Sequence, residues 1–210
     1  MIFIFIVVLC CKEKEIEGVI MKLKPPGAGL PELERSFIRF ILVPFVRVLF
    51  TWNIGLYLLK REVSIINKLL INLDKEECIK KVLIDRTFAI EDDTRAFSVN
   101  LVLEHLTIAG TAVMGVIKTL SNEQEIPGEI KIEEVKPKEN KLNQIDDFNK
   151  FYETYFHFIE KLPKKHSKMK KKHPWFVEFN NFDWSVFMFM HTFIHRRQIE
   201  AIIKELGESK

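Results

Sequence analysis

The chain has 210 residues, 47% hydrophobic and 29% charged, which corresponds to one globular domain or slightly more. A chain this apolar, with 18 phenylalanines, is not intrinsically disordered as a whole. The 32 basic and 29 acidic residues leave a net charge of only +3, so the global charge does not indicate a nucleic-acid partner.

The N-terminal segment, residues 1–20, opens with an apolar run, MIFIFIVVLCC. This run lacks the basic residues that begin a signal peptide, and it is shorter than the about 20 residues of a membrane helix. Two interpretations stay open. Residues 1–20 are a misassigned start or peripheral segment before a domain covering 21–210, or they are a degenerate signal or lipid anchor that would make the protein membrane-peripheral.

The three cysteines, Cys10, Cys11 and Cys78, are too few for a disulfide framework. They also lack the C-x-x-C spacing of a zinc knuckle. A reducing compartment is therefore the expectation, and we expect the protein to be cytoplasmic.

Helical periodicity dominates the chain from Met21 onward, and no strand pattern competes with it. The pattern predicts an all-α fold, a bundle of four main helices with long connecting loops. In chain order, the predicted elements are an opening loop at 25–34, a helical region over 35–71, a short helix over 73–83, a turn-rich connection over 85–97, a helix over 98–120, a loop over 121–141, a helix over 143–161, a basic loop over 162–175 and a last helix over 181–206. As an alternative, the region 35–71 is two helices with breaks near Pro44 and Asn53. Side-chain caps are expected from Asp74 with Glu77 for the short helix, from Ser98 for the helix over 98–120 and from Asn180 with Asp183 for the last helix.

The apolar stretch 36–59 has the length of a membrane span but contains Arg39 and Arg47. A charge at the centre of a bilayer costs about 2.5–3.5 kcal/mol on insertion scales. A buried helix is therefore favoured over integral membrane insertion, while a position on a membrane surface stays open.

Two histidines, His191 and His195, lie four residues apart on the apolar face of the last helix, and Gln198 follows on the same face. This spacing directs two imidazoles to one point, as metal chelation requires, and another helix must supply a third ligand. His105 is the candidate, whereas its neighbour Glu104 is expected to point outward. The alternative is a set of core histidines that hydrogen-bond to one another and to Gln198.

Three segments resemble the DinB/YfiT-like superfamily of four-helix bundles, namely SVNLVLEHL at 98–106, HPWFVEFNNFDW at 173–184 and HTFIHRRQI at 191–199. The resemblance covers roughly residues 35–206. It implies a divalent metal, commonly nickel or zinc, with one histidine ligand from the second helix and two from the last. These ligands correspond to His105, His191 and His195, and a set of three imidazoles leaves metal positions open for water or substrate.

Characterised members of the superfamily include bacillithiol or mycothiol transferases and a maleylpyruvate isomerase. The resemblance therefore implies a metal-dependent transferase or hydrolase for a small-molecule substrate, with a metal-bound water or thiolate as nucleophile. No cysteine of the chain is placed to be that nucleophile, so a low-molecular-weight thiol would come from outside. The alternative is a non-catalytic binding or stress-associated module with structural histidines, homodimeric or membrane-peripheral.

Other polar residues have two interpretations each. Glu91, Asp92 and Asp93 could provide a general base, although capping of the following helix is favoured. Gln198 either orients the imidazole of a metal ligand or serves only as a hydrogen-bond partner for buried polar groups. At least one of Arg196 and Arg197 is expected to pair with a carboxylate of a neighbouring helix rather than to bind an anion.

The segment from Lys161 to Lys172 contains a cluster of lysines but lacks interleaved aromatic residues that could stack on bases. A solvated loop is favoured over a surface for nucleic acid or anionic lipid. His173, at the end of this cluster, is expected to be an exposed loop residue.

Overall fold

The computed structural model describes residues 23–208, so the interpretations of residues 1–20, Cys10 and Cys11 lie outside this range. The described chain is mostly helical, which confirms the all-α class. Its elements are α1 (Glu32–Phe37), α2 (Val43–Leu49), α3 (Trp52–Leu70), α4 (Lys75–Ile79), α5 (Val99–Ser121), α6 (Gln144–Lys161), β1 (Lys171–Lys172), β2 (Glu178–Phe179) and α7 (Asn181–Glu208).

Side-chain caps begin three helices where the sequence predicts them. The hydroxyl of Ser98 accepts a backbone N–H of α5 at 3.1 Å. Asp74 and Glu77 form a reciprocal capping box at α4. Asn180 and Asp183 do the same at α7, with hydrogen bonds of 2.9 and 3.1 Å. Each cap satisfies backbone N–H groups that the first helical turn leaves without partners.

The predicted helical region over 35–71 consists of two arms that meet at 110°. In the first arm, α1 continues into α2 through a π-helical segment, Ile38–Leu42. Near Pro44, one of the two alternative break points, the chain stays helical but changes from the π-helical segment to α-helix at Val43. The break occurs at the extended Phe50, and Thr51 then caps α3, so the break expected near Asn53 is confirmed.

The four long helices pack around a common core. α7 contacts both α3 and α5, while α6 packs mainly against α5. Gly110 allows α5 and α6 to approach closely, since a Cβ at this position would lie 2.4 Å from Cζ of Phe151. The hydroxyl of Tyr152 on α6 lies 2.7 Å from Oγ1 of Thr192, which connects α6 with α7.

An ion pair connects α7 with α3. Nε of Arg196 donates to the buried carboxylate of Glu62 at 2.6 Å, and Nη1 donates to Glu200 at 2.5 Å. The prediction that an arginine of this helix pairs with a carboxylate of a neighbouring helix is confirmed.

The predicted basic loop contains one strand of a small hairpin, in which β1 and β2 pair antiparallel. Most lysines of the cluster are exposed, as predicted: Lys161, Lys164, Lys165, Lys168, Lys170 and Lys172. Lys171 is buried instead, and its ammonium group donates to the carbonyls of Ile126 and Gly128. The loop is therefore folded onto the protein, with its free charges at the surface.

Within the described residues, α5 is long and apolar enough to span a membrane by itself, and 61% of its apolar window is buried inside the protein. The arms Glu32–Leu49 and Trp52–Leu70 pass the same test only as one bent pair. The core helix of a soluble protein has these same properties, so they are weak evidence for a membrane span.

Candidate metal centre

Three histidines from α5 and α7 converge between these helices. His105, His191 and His195 each offer a ring nitrogen within 4.8 Å of the other two. Nε2 of His105 lies 3.2 Å from Nε2 of His191. The centroid of the His195 ring lies 4.7 Å from that of His105 and 4.5 Å from that of His191. The fold thus brings the three predicted residues together in a group that could hold a metal ion.

A backbone carbonyl fixes the orientation of His105. Its Nδ1–H donates to the carbonyl oxygen of Val135 at 2.8 Å. Val135 ends a 3-10 turn, Ile132–Val135, within the predicted loop over 121–141. Because Nδ1 carries the proton, Nε2 of His105 presents its lone pair toward His191.

A glutamine fixes the orientation of His195 in the same way. Nδ1 of His195 lies 2.7 Å from Oε1 of Gln198, and Nε2 of Gln198 donates to the carbonyl of Thr94 at 2.7 Å. The donor bond to Thr94 leaves Oε1 to accept the His195 proton. The imidazole of His195 therefore also keeps the lone pair of its Nε2 for another partner.

His191 differs from the other two, because its buried Nδ1 has no hydrogen-bond partner. Two Nε2 lone pairs at 3.2 Å repel each other unless a proton or a cation lies between them. A tetrahedral zinc ion with Zn–N distances of about 2.0–2.1 Å would hold two nitrogens about 3.3–3.4 Å apart. The observed separation therefore suits a shared metal ion. His191 is partly exposed, as are Phe187 and Ile194, whereas His105 and His195 are buried.

Burial keeps the three imidazoles neutral. It lowers the pKa of His105 to about 4. It also holds the pKa values of His191 and His195 well below the ordinary value, and the neighbouring imidazoles lower both further. Neutral imidazole is the form that binds a metal, so no proton has to be displaced near neutral pH.

Acidic residues lie beside the group but do not cap α5, so the capping interpretation of residues 91–93 is wrong. Nζ of Lys136 lies 2.5 Å from Oε2 of the buried Glu91 and 2.8 Å from Oδ2 of Asp93. Asp92 pairs with Arg95 at 3.1 Å. Each carboxylate of the predicted general-base group is therefore engaged with a cation.

The expectation that Glu104 points outward is wrong. Its buried carboxylate accepts the backbone N–H groups of Lys138, Glu139 and Asn140 at 2.8–3.1 Å. The side chain also lines a cleft of about 540 Å³ that includes residues of α5 and α6 and none of the three histidines. Glu104 therefore holds a loop against α5 and does not belong to the histidine group.

The expectation that His173 is exposed is also wrong. Its buried ring stacks on Phe176 with centroids 4.4 Å apart, and its Nδ1 accepts the backbone N–H of Trp175 at 3.2 Å. Phe187 contacts the rings of both His173 and His191, at 4.9 and 5.3 Å. His173 thus forms an aromatic wall next to the group and is not one of its members.

Comparisons with family models, with curated proteins and with solved structures found no match to this chain. The fold and the site define an all-α protein in which three histidines could hold a metal ion. Sequence reasoning found these histidines but not Val135 and Thr94, whose carbonyls are backbone groups without a residue-type signal.

Proposed function

We propose that the chain is a DinB-like four-helix bundle in which His105, His191 and His195 hold a divalent metal ion, nickel or zinc. We further propose that it acts as a metal-dependent transferase or hydrolase on a small molecule in the cytoplasm. The observation that most supports this is the convergence of three histidine nitrogens within 4.8 Å.

Helix packing supports the bundle. α3, α7, α5 and α6 contact one another in this order, and α6 also touches α3. The candidate ligands come from the two helices for which the resemblance implies them, one from α5 and two from α7. A bundle of this kind positions ligands on facing helices of its core.

The surroundings of the histidines support a reactive rather than a purely structural metal. Three protein ligands leave a position for an exogenous ligand, and His191 is itself partly exposed. A bound divalent metal would supply Lewis acidity and stabilise a coordinated hydroxide or thiolate. The chain's own part is to orient the imidazoles through Val135 and Gln198 and to keep them neutral.

The nucleophile is not a described cysteine. Cys78 is the cysteine within residues 23–208, and it is buried on α4. Burial raises the pKa of its thiol, and Asp74 and Glu77 raise it further, so it stays protonated. A thiol-dependent reaction would therefore use a low-molecular-weight thiol that enters from solution.

One observation favours the non-catalytic alternative. The 3.2 Å contact between Nε2 of His105 and Nε2 of His191 is also a hydrogen-bond distance. If His191 carries its proton on Nε2, the two rings satisfy each other without a metal. In that case the histidines are structural polar groups of a binding module, as a monomer or a homodimer.

Elemental analysis separates the two functions. We expect purified protein to contain close to one equivalent of nickel, zinc or a similar metal per chain. The double variant His191→Ala/His195→Ala should lose it. His157→Ala is the matched control, because His157 is an exposed histidine of α6, and this variant should keep the metal.

Wild-type protein without metal, even after incubation with nickel or zinc, would contradict the proposed function. Circular dichroism of the double variant checks that the loss of metal is not a loss of fold. A metal-loaded protein then justifies a screen of thiol-transfer and hydrolysis reactions, with the metal-free double variant as the blank.

A further inference from the structure

The first arm of the protein, Glu32–Leu49, presents an apolar face to solvent. We call this the outward face, and its members are Leu33, Phe40, Ile41, Val48 and Leu49, which are 86%, 69%, 57%, 82% and 51% exposed. Within this arm Ile38 is the one fully buried residue. Soluble monomers rarely expose contiguous apolar patches of more than a few hundred Å², so this face calls for a covering partner.

The two arginines that argue against a membrane from the sequence do not lie on the outward face. Arg39 donates to the carbonyl of Phe176 at 2.8 Å. Arg47 donates to the carbonyl of Glu178 and to the carboxylate of Asp183, both at 2.8 Å. Both guanidinium groups are thus turned toward the hairpin and the start of α7, and residues 36–49 contain no other charged side chain.

One basic side chain, that of Lys164, adjoins the elbow between the two arms. Trp52 begins α3 directly after the elbow, and the ammonium group of Lys164 lies 5.5 Å from the centroid of its ring. Lys164 belongs to the exposed lysines of the loop over 162–175. Positive charge therefore lies at the elbow where the apolar arm ends, and apolar side chains beside basic ones are the combination that an interfacial helix uses on an anionic membrane.

We propose that the outward face is a docking surface for an anionic lipid bilayer. Phenylalanine and aliphatic side chains of the arm enter the boundary between headgroups and acyl chains, and the lysines of the neighbouring loop interact with the anionic headgroups. The sequence before residue 23 is consistent with a bilayer as the partner, because it opens with a second apolar run, MIFIFIVVLCC. Residue 23 in turn lies only nine residues before α1, so the two apolar segments are close in the chain. Stable membrane attachment commonly takes two such signals.

Vesicle flotation of the full chain tests this inference independently of the metal. We expect binding to vesicles of phosphatidylcholine with phosphatidylglycerol, weaker binding to phosphatidylcholine alone, and a loss of the difference at high salt. The double variant Phe40→Ser/Val48→Ser should bind the anionic vesicles at least about tenfold more weakly. Ile71→Ser/Leu142→Ser is the matched control, since it removes two exposed apolar side chains elsewhere and should bind as the wild type does.

Three results would overturn the inference. The first is a wild-type chain that binds neither kind of vesicle. The second is a Phe40→Ser/Val48→Ser variant that binds the vesicles as tightly as the wild type does. This outcome includes the case in which removal of residues 1–20 abolishes binding while the serine substitutions do not. The third is a concentration-dependent dimer in sedimentation velocity that this variant dissociates, because the occupant would then be a second copy of the chain. Circular dichroism confirms that the compared variants are folded.

Discussion

His195 and Gln198 are joined by a hydrogen bond of 2.7 Å between Nδ1 and Oε1, and this bond sets the tautomer of a candidate metal ligand. The amide of Gln198 cannot rotate by half a turn, because its Nε2 donates to the carbonyl of Thr94 at 2.7 Å. Metal-binding histidines generally have their second ring nitrogen held in this way. In the proposed metal site, this pair would make Gln198 a determinant of metal affinity.

Replacing Gln198 tests this role. Gln198→Leu removes the acceptor for the proton of His195 Nδ1, so we expect the affinity for zinc or nickel to fall about 10–100-fold. Gln198→Glu keeps an acceptor for His195 but loses the donor to Thr94, so it should bind the metal more tightly than the leucine variant. Competition titration with a chromophoric chelator measures both. Equal affinity of the wild type and the leucine variant would contradict the role.

Features that depend on nearby residues could be predicted from the sequence. Ser98 caps α5 through a backbone N–H only three residues away, so its effect is visible in a short window. The helical period likewise places His191 and His195 on one face. His105 could be added because it lies on the edge of the buried stripe of its own helix. These local rules made all three histidines candidates, and the resemblance to the superfamily added the expectation that they share a metal.

Features that depend on distant partners could not be predicted. Glu104 lies opposite the apolar stripe of its helix, and its burial is decided by N–H groups 34–36 residues away. His173 lies in a sequence that reads as a basic loop, yet Phe176 and Phe187 enclose it. Strands of two residues are also too short to show the alternation that identifies a β-strand.

Glu104 should contribute to stability through the loop that it holds. Glu104→Gln replaces a buried carboxylate that accepts several N–H groups by an amide that accepts with one atom only. We expect the free energy of unfolding to fall by about 2–3 kcal/mol, because hydrogen bonds to a charged acceptor are strong and unsatisfied buried groups are costly. Hydrogen exchange at Lys138, Glu139 and Asn140 should accelerate.

Glu123→Gln is the matched control for this substitution. The carboxylate of Glu123 also accepts backbone N–H groups, those of Lys168 and Met169, but it is exposed. Water can replace its hydrogen bonds, so we expect a much smaller loss of stability. Urea denaturation of both variants gives the comparison, and equal losses would show that burial of Glu104 is not the reason for its effect.

His173 should make the stability depend on pH. Burial lowers its pKa to about 3, whereas in the unfolded chain it is about 6.5. The unfolded chain therefore binds more protons below pH 6.5, and stability is lost as the pH falls from 6.5 toward 3. For this group alone the loss between pH 7 and pH 5 amounts to about 2 kcal/mol.

His173→Phe removes this titration while it preserves an aromatic ring against Phe176. The variant leaves the N–H of Trp175 without its acceptor, which lowers stability at every pH. The informative quantity is therefore the difference in unfolding free energy between pH 7 and pH 5. We expect this difference to be smaller in the variant by about 2 kcal/mol. An unchanged difference would mean that His173 is protonated in the folded chain at pH 5.

Two glycines of α5 should respond in opposite ways to the same substitution. At Gly110 a Cβ would lie 2.4 and 2.5 Å from ring atoms of Phe151, so this ring would have to move, and 3.1 Å from Cε of Met188, which would have to give way slightly. Gly110→Ala should therefore destabilise the fold by about 1–3 kcal/mol, in spite of the better helix propensity of alanine. Gly115 is exposed and has nothing within 4 Å of a Cβ, so Gly115→Ala should stabilise the fold by about 1 kcal/mol.

Urea denaturation measures the change in unfolding free energy for both variants. Phe151→Leu in the Gly110→Ala background should restore part of the lost stability, because it removes the ring that the new methyl group meets. A stabilising Gly110→Ala would show that α5 and α6 do not pack this closely in solution.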